Sequence, residues 1–167
     1  MQLAARVQEQ SAQGLGGEPP ATGAYPVPSS PAVTALMRAN RKVDTSPELR
    51  LRSALHRQGL RFRKHIRIDA GGTRVTPDVT FPRKRVAVFV DGCFWHGCPE
   101  HGTHPRTNSS YWSAKLTRNR ERDGRVDSAL SSAGWQVVRV WEHVPAEDAV
   151  ANVTSVLRQV EVDARSR

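Results

Sequence analysis

The chain has 167 residues, a length suited to one domain with a single sizeable core. Twenty-five Lys and Arg residues outnumber 16 Asp and Glu residues, which gives a formal net charge of +9. The sequence contains no apolar run of about 18 residues, which excludes a membrane span, and its N-terminus lacks the apolar region of a secretory signal. Two cysteines are too few for a disulfide framework, so we expect a reduced, cytoplasmic protein. The excess of positive charge favours a nucleic-acid partner.

The N-terminal segment has a different composition from the rest of the chain. Residues 1–31 are rich in Gly, Pro, Ser and Ala and show no helical or strand period, which predicts a disordered tail. We expect the folded domain over residues 32–162 and a short C-terminal tail over residues 163–167. A short helix is predicted at the start of the domain, over Val33–Lys42.

A helix start follows in Thr45-Ser46-Pro47-Glu48, which combines a hydroxyl cap, a proline in the first turn and an acid. The helix should run to about Gln58 and end at Gly59. Glu48 falls on the same helix face as the apolar residues. Its carboxylate either stabilises the helix N-terminus electrostatically or faces a functional site.

The next segments have the patterns of strands. Leu60–Ile68 alternates apolar and basic residues, which predicts an antiparallel strand with one exposed face. Val75–Phe81 predicts a second strand with a bend at Pro77. Arg85–Val90 is almost continuously apolar, as expected for a central strand covered on both faces.

The second half of the chain predicts a crossover. A loop over Gly92–Ser110 precedes a long helix over Tyr111–Ala133, a strand over Trp135–Glu142 and a last helix from about Ala146. Two apolar strands joined by a helix imply a right-handed parallel connection. The predicted fold is therefore α/β, with a mixed sheet and helices on both of its faces.

Asp78 follows the proline of the bent strand. A carboxylate at such a bend can hold a hard cation against a phosphate, with a backbone carbonyl of the neighbouring strand as a second ligand. The alternative is an ordinary residue at the end of a strand.

A cluster of soft ligands follows the central strand. Cys93 and Cys98 flank four residues, and His101 comes shortly after them, a spacing typical of a structural zinc site. His143 is the best fourth ligand because the parallel crossover would bring it to Cys93, and His104 is a further candidate. The alternative is a pair of buried free thiols beside surface histidines.

Phe94, Trp95 and His96 lie between the two cysteines. The aromatic side chains could be wedged between base pairs, or they could pack under the loop. His96 could be a zinc ligand, a structural histidine or a general base for a water molecule.

Two polar residues, Asn119 and Asp123, interrupt the apolar stripe of the long helix. Burying such groups is costly unless they are hydrogen-bonded, so they either serve a site or belong to a helix with many charge pairs. The same part of the helix carries basic residues suited to phosphate contacts: Lys115, Arg118, Arg120 and Arg122.

Together these motifs closely resemble the very-short-patch-repair (Vsr) mismatch endonucleases, over about Ala39–His143 and in the same order. The matching segments are Asp44-Thr45-Ser46-Pro47-Glu48, Pro77-Asp78, Gly92-Cys93-Phe94-Trp95-His96-Gly97-Cys98, Asn119-Arg120-Glu121-Arg122-Asp123 and Gly134-Trp135 through Trp141-Glu142. The Cys-Phe-Trp-His block is the most specific of them.

The resemblance implies a restriction-endonuclease-like α/β fold with a structural zinc site. It also implies an enzyme that nicks one DNA strand on the 5′ side of the thymine in a T·G mismatch, the product of 5-methylcytosine deamination. Asp78 and the main-chain carbonyl of Val90 would hold Mg²⁺. His96 would activate the attacking water, with Glu48 supporting that water or one held by the metal.

The resemblance also assigns the remaining residues. Phe94 and Trp95 would enter the duplex beside the mismatch, and Met37 would enter from the opposite groove. Asn119 and Asp123, with Arg120 nearby, would support the site around the scissile phosphate. The zinc ligands would be Cys93, Cys98, His101 and His143.

The chain departs from a well-known form of the family at three places, one of which is a shorter zinc loop. Val90-Asp91 stands where that form has Thr-His, so one catalytic helper is missing and Asp91 could be a second metal ligand instead. His143 stands where a cysteine can be the last zinc ligand.

Two alternatives to the nicking mismatch endonuclease remain. One is a restriction-type endonuclease that cuts both strands of matched DNA, and the other is a non-catalytic DNA-binding module stabilised by zinc. The expected partner is double-stranded DNA with a T·G mismatch, and mismatch-repair proteins are further candidates. We expect a bacterial, nucleoid-associated protein, and a monomer, since a single-strand cut needs only one active site.

Overall fold

A computed structural model describes residues 31, 35, 43–103 and 105–166 of the chain. Residues 1–30 of the predicted tail lie outside this part, as does the helix predicted over Val33–Lys42, except that Ala35 is helical.

The first complete helix, α1, spans Ser46–Arg57 with Pro47 in its first turn, as predicted. The predicted hydroxyl cap is wrong in detail, because the Thr45 side chain donates to Glu48 Oε1 at 2.9 Å and caps no backbone group. Glu48 itself reaches back along the chain, and its Oε2 accepts the backbone N–H of Asp44 at 3.0 Å. The helix N-terminus is therefore fixed by the carboxylate in its first turn.

The strand predicted over Leu60–Ile68 is wrong. Only an isolated bridge between Arg63 and Thr80 forms in this segment, and the regular strand β1 covers Ile68–Ala70. His65 has a φ of +51°, a left-handed conformation that ends any extended run. β1 forms a small antiparallel hairpin with β2, Thr73–Val75.

The central sheet has three strands in the order β3-β4-β5. β3 covers Val79–Phe81 and pairs antiparallel with β4, Val86–Asp91, after a 3-10 turn over Pro82–Lys84. β5, Gln136–Trp141, pairs parallel with β4. This arrangement confirms the mixed sheet, the central strand and the parallel connection. The predicted second strand is divided at Pro77, so that β2 and β3 belong to different sheets.

The described residues contain three further complete helices. The short helix α2, Cys93–His96, lies where a loop was predicted. The crossover helix α3 spans Ser109–Ser132, and the last helix α4 spans Ala146–Arg165. Among the described residues, no helix combines the length and apolar character that a membrane span requires.

Two apolar clusters cover the two faces of β4. Val86 and Val88 point into the cluster shared with α1 and α4, whereas Ala87 packs with Leu130 of α3 and with the β1–β2 hairpin. This alternation follows from the two-residue period of a strand. It confirms the prediction of a sheet covered by helices on both faces.

Candidate active site and metal centre

Asp78 lies in the gap between β2 and β3, beside the end of β4. Its Oδ2 accepts the backbone N–H of Val90 at 2.8 Å, and its own N–H donates to Val88 O at 3.1 Å. Burial, with smaller contributions from the charges of Glu48 and Asp91, raises the pKa of Asp78 to about 6, although the hydrogen bond from Val90 acts in the opposite direction. A half-buried carboxylate among other carboxylates fits a hard cation, because the cation would offset negative charge that the described residues leave uncompensated.

Glu48 is buried, and Arg52 is a third donor to it besides Thr45 and the Asp44 amide. Arg52, also buried, lies 3.5 Å from Glu48 Oε2 and pairs with Asp44 as well. Arg52 Nη1 is 3.1 Å from His65 Nε2, and a hydrogen bond with His65 lowers the pKa of Asp44. Although Asp44, Glu48 and His65 have ligand atoms within 4.8 Å of one another, the guanidinium of Arg52 contacts all three. The group is therefore an ion-pair network that supports Glu48, not a second metal site.

His96 ends helix α2 and contacts helix α3. Its Nδ1 lies 2.6 Å from Asp123 Oδ2 and 3.7 Å from Asp91 Oδ1. Because a carboxylate can only accept, Nδ1 carries a proton, and in the neutral imidazole Nε2 then has the free lone pair that a base needs. Of the three interpretations that the sequence allows for His96, this arrangement favours the general base, since a carboxylate that orients the imidazole is the usual partner of one.

Asn119 and Asp123 both face helix α2 from α3. Asn119 Nδ2 donates to the backbone oxygen of Trp95 at 2.9 Å, while Asp123 binds His96. The two polar residues on the apolar stripe are thus hydrogen-bonded to the segment that carries the aromatic residues and the histidine. Arg120 lies next to them, and a Cβ atom at Gly97 would stand 3.4 Å from its guanidinium.

Asp91, which is buried, forms an ion pair with β5. Both of its carboxylate oxygens accept from Arg139 Nη1, at 2.8 and 2.9 Å. Although burial opposes its charge, the carboxylates of Asp127 and Asp91 hold the pKa of Arg139 above its usual range. This geometry favours an ion-paired Asp91 over the metal ligand considered from the sequence.

The cysteine and histidine residues converge as predicted. Cys93 Sγ lies 3.1 Å and Cys98 Sγ 3.7 Å from His143 Nδ1, and Cys98 Sγ lies 4.0 Å from His101 Nδ1. The four ligand atoms lie within 4.8 Å of one another. Tetrahedral zinc would require separations of roughly 3.3–3.8 Å, so the donor set fits such a metal after small adjustments. His104 lies outside the described residues.

Phe94 and Trp95 form an aromatic cluster with α3. Their ring centroids are 4.9 Å apart, and the ring of Trp112 lies 5.3 Å from Phe94 and 6.0 Å from Trp95. All three side chains are half-buried. Met37, the third predicted wedge residue, lies outside the described residues.

Sequence comparison identifies known proteins that are similar to this chain. A family model described as DNA mismatch endonuclease Vsr matches residues 31–101. A type II nicking enzyme, V.NaeI of Lentzea aerocolonigenes, is 51% identical over 142 residues, which cover 84% of this chain and 86% of the relative. The chain belongs to the Vsr endonuclease family.

Two other relatives extend the comparison. The type II nicking enzyme V.NmeDIP of Neisseria meningitidis serogroup C is 37% identical over 133 residues, covering 78% of this chain and 84% of the relative. The DNA mismatch endonuclease Vsr of Escherichia coli strain K12 is 38% identical over 110 residues, covering 64% and 66%. This Vsr-family protein is therefore a DNA endonuclease, as the sequence predicts.

Several residues of the site in this Vsr-family protein are not evident from sequence patterns. Glu142 accepts the N–H of Cys93 at 2.6 Å and so joins helix α2 to the end of β5. Arg52 and His65 connect α1 to the segment before β1, and Arg139 connects β4, β5 and α3. In the sequence, the only indication of a special role for Arg139 is that a charged residue interrupts the apolar run of β5.

Proposed function

We propose that this protein is a Mg²⁺-dependent endonuclease that nicks one strand of DNA on the 5′ side of the thymine in a T·G mismatch. One observation carries the proposal: Asp78 and His96 are joined by a short series of contacts. Asp78 binds the amide of Val90, the next residue is Asp91, and the Asp91 carboxylate lies 3.7 Å from the imidazole of His96. A candidate cation ligand and a candidate base are thus connected through the end of β4, which supports the proposal.

In this mechanism, His96 takes the proton of the attacking water at Nε2, while Asp123 holds the imidazole through Nδ1. Asp78 and the carbonyl of Val90 would hold Mg²⁺, which when bound supplies positive charge to stabilise the reacting phosphate. Glu48, whose charge is felt at Asp78, adds negative potential that favours cation binding. The side chains of Asp78, His96 and Glu48 are each held by the hydrogen bonds described above.

The same proposal assigns mismatch recognition to the aromatic residues of α2. A mispair costs less to unstack than a Watson–Crick pair, so inserted side chains select for it. Phe94 and Trp95 lie on the segment that Asn119 and Trp112 hold, beside the basic surface of α3 that includes Arg120. Met37 is proposed as a wedge from the opposite groove.

We assign zinc to Cys93, Cys98, His101 and His143, because two thiols and two imidazoles converge there. Both cysteines are buried and neither forms a disulfide. The ion would have a structural role, because it would hold helix α2 in place at the ends of β4 and β5.

Strand nicking is favoured over cleavage of both strands because two of the relatives compared above are nicking enzymes by name. Membership in a family of endonucleases likewise favours an enzyme over the non-catalytic module. A chain with one site cuts one strand, so we retain the monomer in this proposal.

A nicking assay on oligonucleotides tests the proposal. The substrates are a T·G duplex and the corresponding C·G duplex, in several flanking contexts, with and without Mg²⁺. Wild type should nick only the T strand of the mismatch, and His96→Ala should lower the rate by about 10²–10⁴-fold while DNA binding survives. The exposed His56 of α1 provides the control variant, His56→Ala. Breaks in both strands of matched DNA, or full activity of His96→Ala, would contradict the proposal.

A further inference from the structure

Arg139 joins three structural elements through a single guanidinium group. Nη1 donates to both oxygens of Asp91 on β4, at 2.8 and 2.9 Å. Nε lies 3.0 and 3.1 Å from the two oxygens of Asp127 on α3, and Nη2 lies 2.9 Å from Asp127 Oδ1. The guanidinium also lies 4.9 Å from the ring centroid of Phe89, which keeps it from turning away.

The same group reaches the carboxylate that orients the histidine. Nη2 lies 3.8 Å from Asp123 Oδ1, while Asp123 Oδ2 binds His96 Nδ1 at 2.6 Å. The exposed Arg122 approaches Asp123 Oδ1 from the other side at 3.6 Å. Three carboxylates, Asp91, Asp123 and Asp127, therefore share one half-buried cation, and two of them lie within 4 Å of His96 Nδ1.

These two carboxylates are competing acceptors for one imidazole N–H. Asp91 Oδ1 stands at 3.7 Å, so a small rotation would transfer the hydrogen bond to it and turn Nε2 away from its present direction. Arg139 disfavours this, because it donates to both oxygens of Asp91 and offsets their charge, which makes Asp91 the weaker acceptor. Its contact with Asp123 is longer, 3.8 Å, and lies at Oδ1, not at the Oδ2 that binds His96.

We propose that Arg139 is a positioning residue of the nuclease, which binds Asp91 and Asp123 so that the imidazole of His96 is held in one orientation. The proposal rests on the proposed role of His96 as the base. It explains how an aspartate can directly follow Val90 without adding an unpaired buried charge to the site. It assigns no contact with DNA to Arg139 or Asp91.

The test compares Arg139→Met, Arg139→Lys and the double variant Asp91→Asn/Arg139→Met with wild type. The single-turnover nicking rate and the Kd for the same T·G duplex are measured, together with the thermal midpoint. Arg139→Met should lower the rate by about 10²-fold and change Kd by less than about threefold, because a misplaced catalytic group affects the reaction more than binding. Arg139→Met could also unfold, since it leaves Asp91 unpaired, and the double variant removes that charge.

Arg139→Lys keeps the charge but lacks the fork that can hold Asp91 and Asp127 together. It should fold like wild type and still nick at least about tenfold more slowly. The folded double variant should also remain slow, because the amide oxygen introduced at position 91 can still accept from His96 and Asp123 has lost its contact with Arg139. The exposed Arg158 of α4 supplies the matched control, Arg158→Met, which should nick at the wild-type rate.

A spectroscopic measurement separates positioning from stability. In protein labelled with ¹⁵N-histidine, the strongly hydrogen-bonded Nδ1–H of His96 should give a downfield proton signal, assigned by its loss in His96→Ala. The signal should broaden or disappear in Arg139→Lys while the fold is retained. Wild-type rates in the lysine or the double variant, or an unchanged signal, would overturn the proposal. Full activity of His96→Ala would instead overturn the proposed function, so the two failures are distinguishable.

Discussion

The carboxyl group of Asp78 makes the stability of the protein depend on pH. Its pKa is about 6 in the folded protein because of burial, above the ordinary value of 3.8. The folded state therefore binds this proton more tightly than the unfolded state does. The stabilising effect of protonation is complete below about pH 4 and is lost as the pH rises through 6, so the charged form destabilises the fold at neutral pH.

We expect Asp78→Asn to abolish nicking and to stabilise the protein at pH 7 without added Mg²⁺, by about 1–3 kcal/mol. The amide oxygen can still accept the N–H of Val90, but no charge is buried. Urea unfolding at pH 7 and pH 4 measures the effect, which should be much smaller at the lower pH. An exposed acid on α4 gives the control, Asp148→Asn. Equal stabilisation at both pH values would show that the charge of Asp78 is not the cause.

The sequence identifies the reactive residues better than it identifies their supports. Asp78, His96 and the Cys/His set are recognisable because few residue types can perform their chemistry. Arg52 and Arg139 are not recognisable, because arginines are common in this chain and their partners lie 4 to 48 residues away. Which of many arginines is buried in an ion pair depends on tertiary contacts.

At the scale of elements, the short helix α2 depends on attachments at its two ends. Its first residue, Cys93, contacts His143 and Glu142 at the end of β5, and its last residue, His96, contacts α3. A four-residue helix is too short to be stable alone, so these attachments determine its position.

If the proposed zinc ion is removed, helix α2 should therefore lose its fixed position. We expect His143→Ala to lose bound zinc, to lower the thermal midpoint by several degrees and to reduce nicking, whereas His143→Cys should retain all three properties, because thiolate is an equally good ligand. Metal analysis of the purified protein and thermal unfolding provide the measurements. Retention of zinc by His143→Ala would exclude His143 from the ligand set.

The aromatic cluster on α2 leads to another prediction. Phe94→Ala should reduce the preference for T·G over C·G duplexes by about tenfold, because a stacked ring contributes roughly 1–3 kcal/mol. Binding to matched DNA should change less. Competition binding with the two duplexes measures this preference, and Phe62→Leu, at a distance from the cluster, controls for loss of an aromatic residue. Equal weakening on both duplexes would contradict insertion beside the mismatch.

The incorrectly predicted strand shows where local patterns are insufficient. The alternation over Leu60–Ile68 is real, and Leu60 and Phe62 do pack against the core. However, His65 turns back to meet Asp44 and Arg52, 21 and 13 residues away, and its positive φ breaks the extended run. A contact with α1 therefore overrides the period-two pattern of this segment. The crossover through α3 could be predicted, because its helical pattern extends over many residues.

At the scale of the whole molecule, the positive charge of the protein suits a polyanionic substrate. The crossover helix α3 presents exposed arginines beside the candidate site, including Arg118 and Arg120. The last helix, α4, packs on the opposite face of the sheet with α1. DNA bound at the site would therefore contact α3 and leave α4 free.

This arrangement predicts an unequal salt dependence. Arg120→Gln should lower the slope of log K against log salt concentration by about 1, for matched and mismatched duplexes alike, since a phosphate contact carries no sequence information. Arg158→Gln on α4 should leave the slope unchanged. Fluorescence anisotropy at salt concentrations between about 50 and 200 mM measures the slope for both variants. Identical slopes for wild type and Arg120→Gln would exclude this arginine from the DNA interface.

The parallel register of β4 and β5 has a consequence for assembly of the enzyme. Asp91 is paired with Trp141, so Cys93 and His143 each lie two residues beyond one matched pair, and Arg139 lies opposite Phe89 in the same ladder. A slip of one residue would reverse the faces of β5 and separate both the metal ligands and the Asp91–Arg139 pair at once. Correct register of this one strand pair is therefore needed both for the proposed zinc site and for the ion pair beside His96.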